Sequence, residues 1–154
     1  MPEAYGACGT TRGKFLPWSW LSERMWRAHN YWVSTTRPDG RPHVMPVWGV
    51  WVEDRFYFST DPNSRKGRNL AANPALAVHL GSGDEAVILE GVAREVTERS
   101  QRASVDDAYF AKYGMRLTGM PGPVGLYALE LRTAFAWREK DFPASATRWV
   151  FGGD

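Results

Sequence analysis

Residues 55–80 read RFYFSTDPNSRKGRNLAANPALAVHL. The first six, RFYFST, are rich in aromatic and β-branched residues and predict a strand. Asp61-Pro62-Asn63-Ser64 interrupts it, and Ser64 is a candidate N-cap for a short helix over RKGRNLAAN. Pro74 ends that helix, because the residue before a proline is driven out of the α region. ALAVHL, residues 75–80, then predicts a second strand. The helix opens with a hydroxyl and the cations Arg65 and Lys66 in its first turn. Cations there oppose the helix macrodipole, so stability alone does not account for them. They make sense if an anion sits at that N-terminus, held by free N–H groups, the serine hydroxyl and the two side chains. The alternative is a solvated basic turn.

Working outward, YWVSTTR (31–37), the turn Pro38-Asp39-Gly40 and RPHVMPVWGVWV (41–52) predict a hairpin, with 41–52 read as one strand. Glu53-Asp54 reverses the chain into residue 55. Beyond residue 80, a Gly-Ser-Gly-Asp turn leads to EAVILEGVAREV (85–96), a helix over 97–114, a loop over 115–125, the long strand LYALELRTAFAWRE (126–139) and a short TRWVF (147–151). Ahead of the hairpin, Pro17 introduces a helix with Trp18, Leu21, Met25 and Trp26 near one face. Residues 1–14 are small and polar and predict a flexible arm, leaving 15–154 as a single domain. The fold class is mainly β, with six or seven antiparallel strands and three inserted helices. Short hairpins and one-sided alternation predict a closed or nearly closed barrel.

Length and composition agree with one ordinary domain: 154 residues, 44% hydrophobic and 23% charged. A net charge of +2 argues against an overall electrostatic grip on nucleic acid. The lone Cys8 cannot form an internal disulfide. The opening residues lack the apolar core of a signal peptide, and no apolar run approaches a membrane span, so a cytoplasmic protein is expected. Eight Trp, seven Phe and six Tyr can fill a core, line a flat-ligand pocket or build an interface.

Several motifs are set aside on mechanism. Gly81-Ser82-Gly83-Asp84-Glu85-Ala86 matches G-x-G-x-x-A, but that fingerprint needs a helix to open there, and a strand pattern follows. His29, His43 and His79 lie at no metal-ligand spacing, so no metal site is expected. No serine has the context of an activated nucleophile, and no residue is assigned as catalytic.

The run FYFSTDPNSRKGRNLAANPALAVHL, preceded by the hairpin STTRPDGRPHVMPVWGVW, resembles the pyridoxamine 5′-phosphate oxidase-like superfamily. These are split-barrel flavin-binding proteins, including reductases that use the deazaflavin coenzyme F-420. The resemblance is clear over residues 31–96 and weaker toward the C-terminus. It implies a six-stranded antiparallel split β-barrel, assembled as a homodimer with cofactor sites at the interface. Ser64, Arg65 and Lys66 would bind the cofactor phosphate. Met45, Pro46, Val47 and Trp48 would run along the edge of the ring system, and Ser59 and Thr60 would face its ribityl–phosphate side. Trp137 and Arg148 would come from the partner chain.

Two departures stand out. Met45 occupies the place of an arginine that the oxidases use for phosphate. Arg148-Trp149-Val150 replaces their substrate-binding Arg-Leu-His element. Both speak against oxidation of pyridoxamine 5′-phosphate itself. The resemblance therefore implies an oxidoreductase that transfers a hydride between coenzyme F-420 or FMN and a small organic acceptor. An F-420 tail would want a basic groove, for which Arg12, Lys14, Arg24 and Arg27 are candidates; scattered surface charge is the other reading. Trp48, Trp51, Trp137 and Trp149 are candidates for pocket walls, or else for core. The alternative function is a non-catalytic protein that binds and sequesters a flavin, haem or another flat ligand.

Overall fold

The computed structural model describes residues 4–6 and 15–152. Nine strands and three α-helices follow in chain order: β1 (Ala4–Gly6), α1 (Trp18–Arg27), β2 (Tyr31–Thr36), β3 (Pro42–Val47), β4 (Gly49–Val52), β5 (Arg55–Thr60), α2 (Arg65–Ala72), β6 (Ala75–His79), β7 (Glu85–Glu95), α3 (Arg99–Tyr113), β8 (Gly125–Arg138) and β9 (Thr147–Val150). Apart from Ala4–Gly6, which pair with β9, the arm expected over residues 1–14 lies outside the described residues.

All strands belong to one antiparallel sheet with the path β1-β9-β8-β7-β6-β2-β3; β5 pairs with β8, and β4 with β5. The long β8 makes the curl possible. One edge pairs with β7 over its whole length, while the other takes β5 at its first residues and β9 near its end. The path ends at β3 and its branch at β4, each with one edge that pairs with no strand among the described residues, and the opening between these two edges is the split of a split barrel. Pro42 and Pro46 have no N–H to offer and blunt the open edge of β3.

Two expectations are corrected. The strand count is nine among the described residues, not six or seven. Residues 41–52 form two strands rather than one, broken at Trp48. Across Trp48 the chain changes partner, from Val47 paired with Tyr31 to Gly49 paired with Phe58, and Gly49 sits so close to β5 that an added Cβ would lie 2.4 Å from the Phe56 ring and 2.9 Å from the Tyr57 carbonyl. The chain after Gly83 is strand β7, so no helix opens at the glycine-rich turn.

Core aromatics answer much of the compositional question. Leu21 and Met25 of α1, Tyr31, Val33, Phe56, Phe58, Val78, Leu89, Leu129 and Trp149 fill the barrel. A second cluster of Val50, Tyr57, Val105, Tyr109 and Leu126 seats α3 against β4 and β5. Each fully buried large side chain contributes about 1.5–3 kcal/mol of transfer free energy. Trp26, expected on the buried face of α1, is 67% exposed. It lies one residue, or about 100°, past Met25 and so turns off the buried stripe. No helix among the described residues is long and apolar enough to cross a membrane.

Candidate functional site

The start of α2 lies at the mouth of the barrel, where β5 ends. Ser64 is extended (φ −65°, ψ 166°), and its Oγ accepts the Gly67 N–H at 3.1 Å, the expected capping geometry. The same hydroxyl lies 2.6 Å from the Asp61 carbonyl and 3.0 Å from Thr60 Oγ1. This arrangement leaves the Arg65 and Lys66 N–H groups, the first two of the helix, without an intrahelical acceptor. The Asp61 carboxylate is engaged by the Asn63 N–H of its own turn. Neither Arg65 nor Lys66 forms an ion pair among the described residues. Lys66 is half-buried, and burial pulls its ammonium below the ordinary lysine value.

A histidine completes the cradle. On β2 and β3 the register pairs Tyr31 with Val47, Val33 with Met45 and Thr35 with His43. Tyr31, Val33 and Thr35 are buried, so His43 and Met45 share the barrel-facing side at the split. Thr35 Oγ1 accepts from Asn69 Nδ2 of α2 at 3.0 Å, which holds α2 beside this corner. His43 Nδ1 and Asn69 Oδ1 are buried without a hydrogen-bond partner. Desolvation, followed by the charges of Arg37, Lys66 and Arg65, pushes the His43 pKa down. Arg65 and Lys66, without ion-pair partners among the described residues, and an unpartnered imidazole nitrogen thus lie beside hydroxyls and free helix N–H groups, with the charge of Arg37 acting on the same imidazole. That donor set fits a phosphate.

The sign of the His43 shift gives a prediction. Its folded pKa is depressed, so the unfolded chain takes up the proton first and folding is penalised below about pH 6.5, the ordinary histidine value. The penalty is absent above that pH and complete below the folded pKa. Denaturation midpoints of the ligand-free protein should therefore fall more steeply on acidification than those of His43→Gln. Added inorganic phosphate should restore more stability at low pH in the parent than in the variant. Parallel profiles would remove His43 from the cradle.

Behind the β3–β4 break, α3 supplies a brace. The Tyr109 hydroxyl accepts the Ser59 N–H at 3.1 Å and donates to the Trp48 carbonyl at 3.2 Å. The Tyr113 hydroxyl accepts the Gly49 N–H at 3.0 Å and donates to the His29 carbonyl at 2.8 Å. Its ring stacks on Trp48, with centroids 4.3 Å apart and planes within 1°. Lys112 Nζ donates to the Gly49 carbonyl at 2.8 Å. Tyr109 and Tyr113, at i and i+4, fall on one helix face, so a single helix satisfies the backbone groups freed by the break.

The expected site residues divide into groups. Thr60, Ser64, Arg65 and Lys66 come together around the start of α2, whereas Ser59 turns to the opposite face of β5, its Oγ 3.6 Å from Met120 Sδ. Met45 is 44% exposed at the split, Val47 turns into the core, and Pro46 and Trp48 are exposed. The Trp48 carbonyl is already used by Tyr109. Trp137 and Arg148 lie away from the cradle of their own chain. Gly125 of β8 pairs with Thr60, whereas Trp137 pairs with Ala86, twelve positions and about 40 Å of extended strand further on. Trp137 packs edge-on against Phe142, and Arg148 is exposed on β9.

Among the candidate pocket walls, Trp149 is 1% and Trp51 4% exposed, so both are core residues. Arg24 pairs with Glu85 and Arg27 with Glu23, so neither is a free cation for a tail groove. Arg12 and Lys14 lie outside the described residues. Sequence reasoning passed over His43, Asn69, Tyr109 and Tyr113. The i, i+4 tyrosines and the two-residue step from His43 to Met45 were the available signals.

Comparison with known proteins adds the following. A family model described as pyridoxamine 5′-phosphate oxidase matches residues 23–138. The pyridoxine/pyridoxamine 5′-phosphate oxidase of Gluconobacter oxydans is 43% identical over 82 residues, 51% of this chain and 38% of that protein. The chain thus spans well under half the length of that relative. Among solved structures, a conserved hypothetical protein from Mycobacterium tuberculosis superposes with a TM-score of 0.71 at 21% identity, over 80% of this chain and 85% of that one. A haem binding protein from Mycobacterium smegmatis superposes with a TM-score of 0.64 at 16% identity, over 79% and 55%. At these identities the structures establish likeness of fold.

Proposed function

Because the chain belongs to the pyridoxamine 5′-phosphate oxidase family, we propose that it is an oxidoreductase holding a phosphorylated flavin-type cofactor, FMN or coenzyme F-420, and passing a hydride between it and a small organic acceptor. The observation that carries this reading is the cradle at the start of α2: Arg65 and Lys66 without carboxylate partners, the Ser64 and Thr60 hydroxyls, and the unpartnered His43 nitrogen. Hydride chemistry would be supplied by the cofactor. The chain's own part is to bind and orient it. Lys66, Arg65 and the helix N–H groups take the phosphate charge. The exposed residues Met45, Pro46 and Trp48 border the split where a ring system would lie, and the stacked Trp48–Tyr113 pair stiffens that border. Water exclusion falls to the same aromatic rim.

A homodimer is part of the proposal. Trp32 and Val44 are exposed on neighbouring strands on the outward side of the sheet, an apolar surface suited to a second copy. A second chain would also bring Trp137 and Arg148 toward a cradle that their own chain keeps distant. Pyridoxamine 5′-phosphate itself is disfavoured as substrate by Met45, which offers no cation at the split, and by Val150 in place of a histidine. The paired state of Arg24 and Arg27 removes two of the four cations considered for an F-420 tail, so FMN stands level with the deazaflavin.

The test is a titration of apo-protein with FMN and with coenzyme F-420, following tryptophan quenching, with sedimentation on the same sample. Binding of one cofactor at micromolar affinity or tighter is expected, weakened about tenfold or more in Lys66→Ala. Turnover of an acceptor by the reduced cofactor supports the oxidoreductase. Tight binding without turnover selects the sequestering protein, and binding of neither overturns both.

A further inference from the structure

Between α1, β4 and α3 lies a second cavity of about 370 Å³, in the size range of small-molecule sites and separate from the start of α2. Its lining includes the exposed Trp26, an edge of the otherwise buried Trp51, and the small Ala108 of α3. Lys112, Arg27 and His29 line it as well, and no carboxylate does. Lys112 is half-buried, and its Nζ donates to two neutral oxygens, the Tyr31 hydroxyl and the Gly49 carbonyl, both at 2.8 Å. An ammonium carries three donors, so one N–H remains. Lys112 forms no ion pair among the described residues. Among the described residues its charge-linked contacts are the rings of Tyr31 and Tyr113, 4.6 and 5.1 Å from Nζ. The nearby carboxylates are occupied or offset: Glu23 pairs with Arg27, Asp54 accepts from Ser22, and Glu53 lines an adjoining groove.

A half-buried cation without a counterion is costly unless something negative comes to it. Burial pulls the Lys112 pKa down to about 8, in keeping with that cost. The exposed Trp26 is likewise explained by a ring that would cover it. We infer that the cavity between α1 and α3 is a binding site for a small planar aromatic carboxylate, its charge on Lys112 and its ring against Trp26. None of its residues belongs to the phosphate cradle, although Lys112 also holds the Gly49 carbonyl beside the split.

The experiment uses the full chain and two probes, 2-naphthoate and its uncharged isostere 2-naphthamide, followed by tryptophan quenching. Naphthoate should bind about tenfold or more tightly than the amide. Lys112→Met should remove that preference while Lys66→Ala leaves it. Ala108→Phe, which fills the cavity and keeps the amine, should abolish binding of both probes; it keeps the test decisive if Lys112→Met fails to fold. Equal affinity for acid and amide overturns the inference. So does retention of naphthoate binding in Ala108→Phe. Loss in Lys66→Ala alone would place the probe in the phosphate cradle and overturn it as well.

Discussion

Gly67→Ala is expected to destabilise the protein by about 2 kcal/mol and to weaken binding of phosphorylated ligands about a hundredfold. On propensity alone the change should help, since alanine is favoured over glycine in a helix by about 1 kcal/mol. The close approach at this position reverses the sign. A Cβ on Gly67 would lie 2.5 Å from the carbonyl oxygens of both Asp61 and Pro62. These are backbone atoms of the turn that delivers Ser64, so they cannot yield as the end of a flexible side chain could. Relief requires the first turn of α2 to move away from 61–62, which breaks the Gly67 N–H to Ser64 Oγ bond and scatters the donors around the phosphate position. Denaturant midpoints and cofactor titration check both parts. A neutral or stabilising Gly67→Ala with unchanged affinity would show that α2 does not need this approach.

Tyr109→Phe is expected to cost about 2–3 kcal/mol, from the loss of one hydroxyl. The ring is fully buried and its packing survives the change, so the effect isolates the oxygen. Without it the Ser59 N–H and the Trp48 carbonyl lose their partner in a closely packed region. Burial also raises the pKa of this phenol, so it stays protonated and available as a donor throughout the physiological range. Because Ser59 precedes Thr60 of the cradle and Trp48 borders the split, the variant should also weaken cofactor binding. Hydrogen exchange at the Ser59 amide should accelerate before the rest of β5 does. A cost below about 0.5 kcal/mol would show that the hydroxyl is no brace.

Much of the fold was legible because local rules and tertiary packing agree along most of the chain. Ser64 caps α2 as its residue type predicts, Pro74 stops it, and Gly114 closes α3 with φ of 72°. The long strand near the C-terminus was visible as a continuous run rich in apolar and aromatic residues. Family membership followed from the strand–turn–helix of residues 55–80, and the match over 23–138 agrees with it. The misreadings share a cause. Residues 41–52 read as one strand because most of them suit extended backbone, yet across Trp48 the chain leaves β2 for β5, with Val47 paired to Tyr31 and Gly49 to Phe58. Trp149 and Trp51 read equally well as walls or core, since an aromatic residue carries no local mark of which side of a sheet will be covered.

By itself the sequence determined the order and type of most elements, though not β1 or the division of 41–52, and the cap and paired cations that open α2, on which the family resemblance rests, because these depend on neighbours within a few residues. The tertiary structure decided what comes to those cations. His43 reaches the cradle only through its register with Thr35, and Thr35 through its bond to Asn69. Tyr109 and Tyr113 meet Trp48 and Gly49 only because α3 packs on β4. Arg24 and Arg27 are claimed by Glu85 and Glu23, while Arg65, Lys66 and Lys112 are left without carboxylates. Whether a charge is free depends on which residues fold next to it, and that is set by contacts across tens of residues rather than by the residue or its neighbours in the chain.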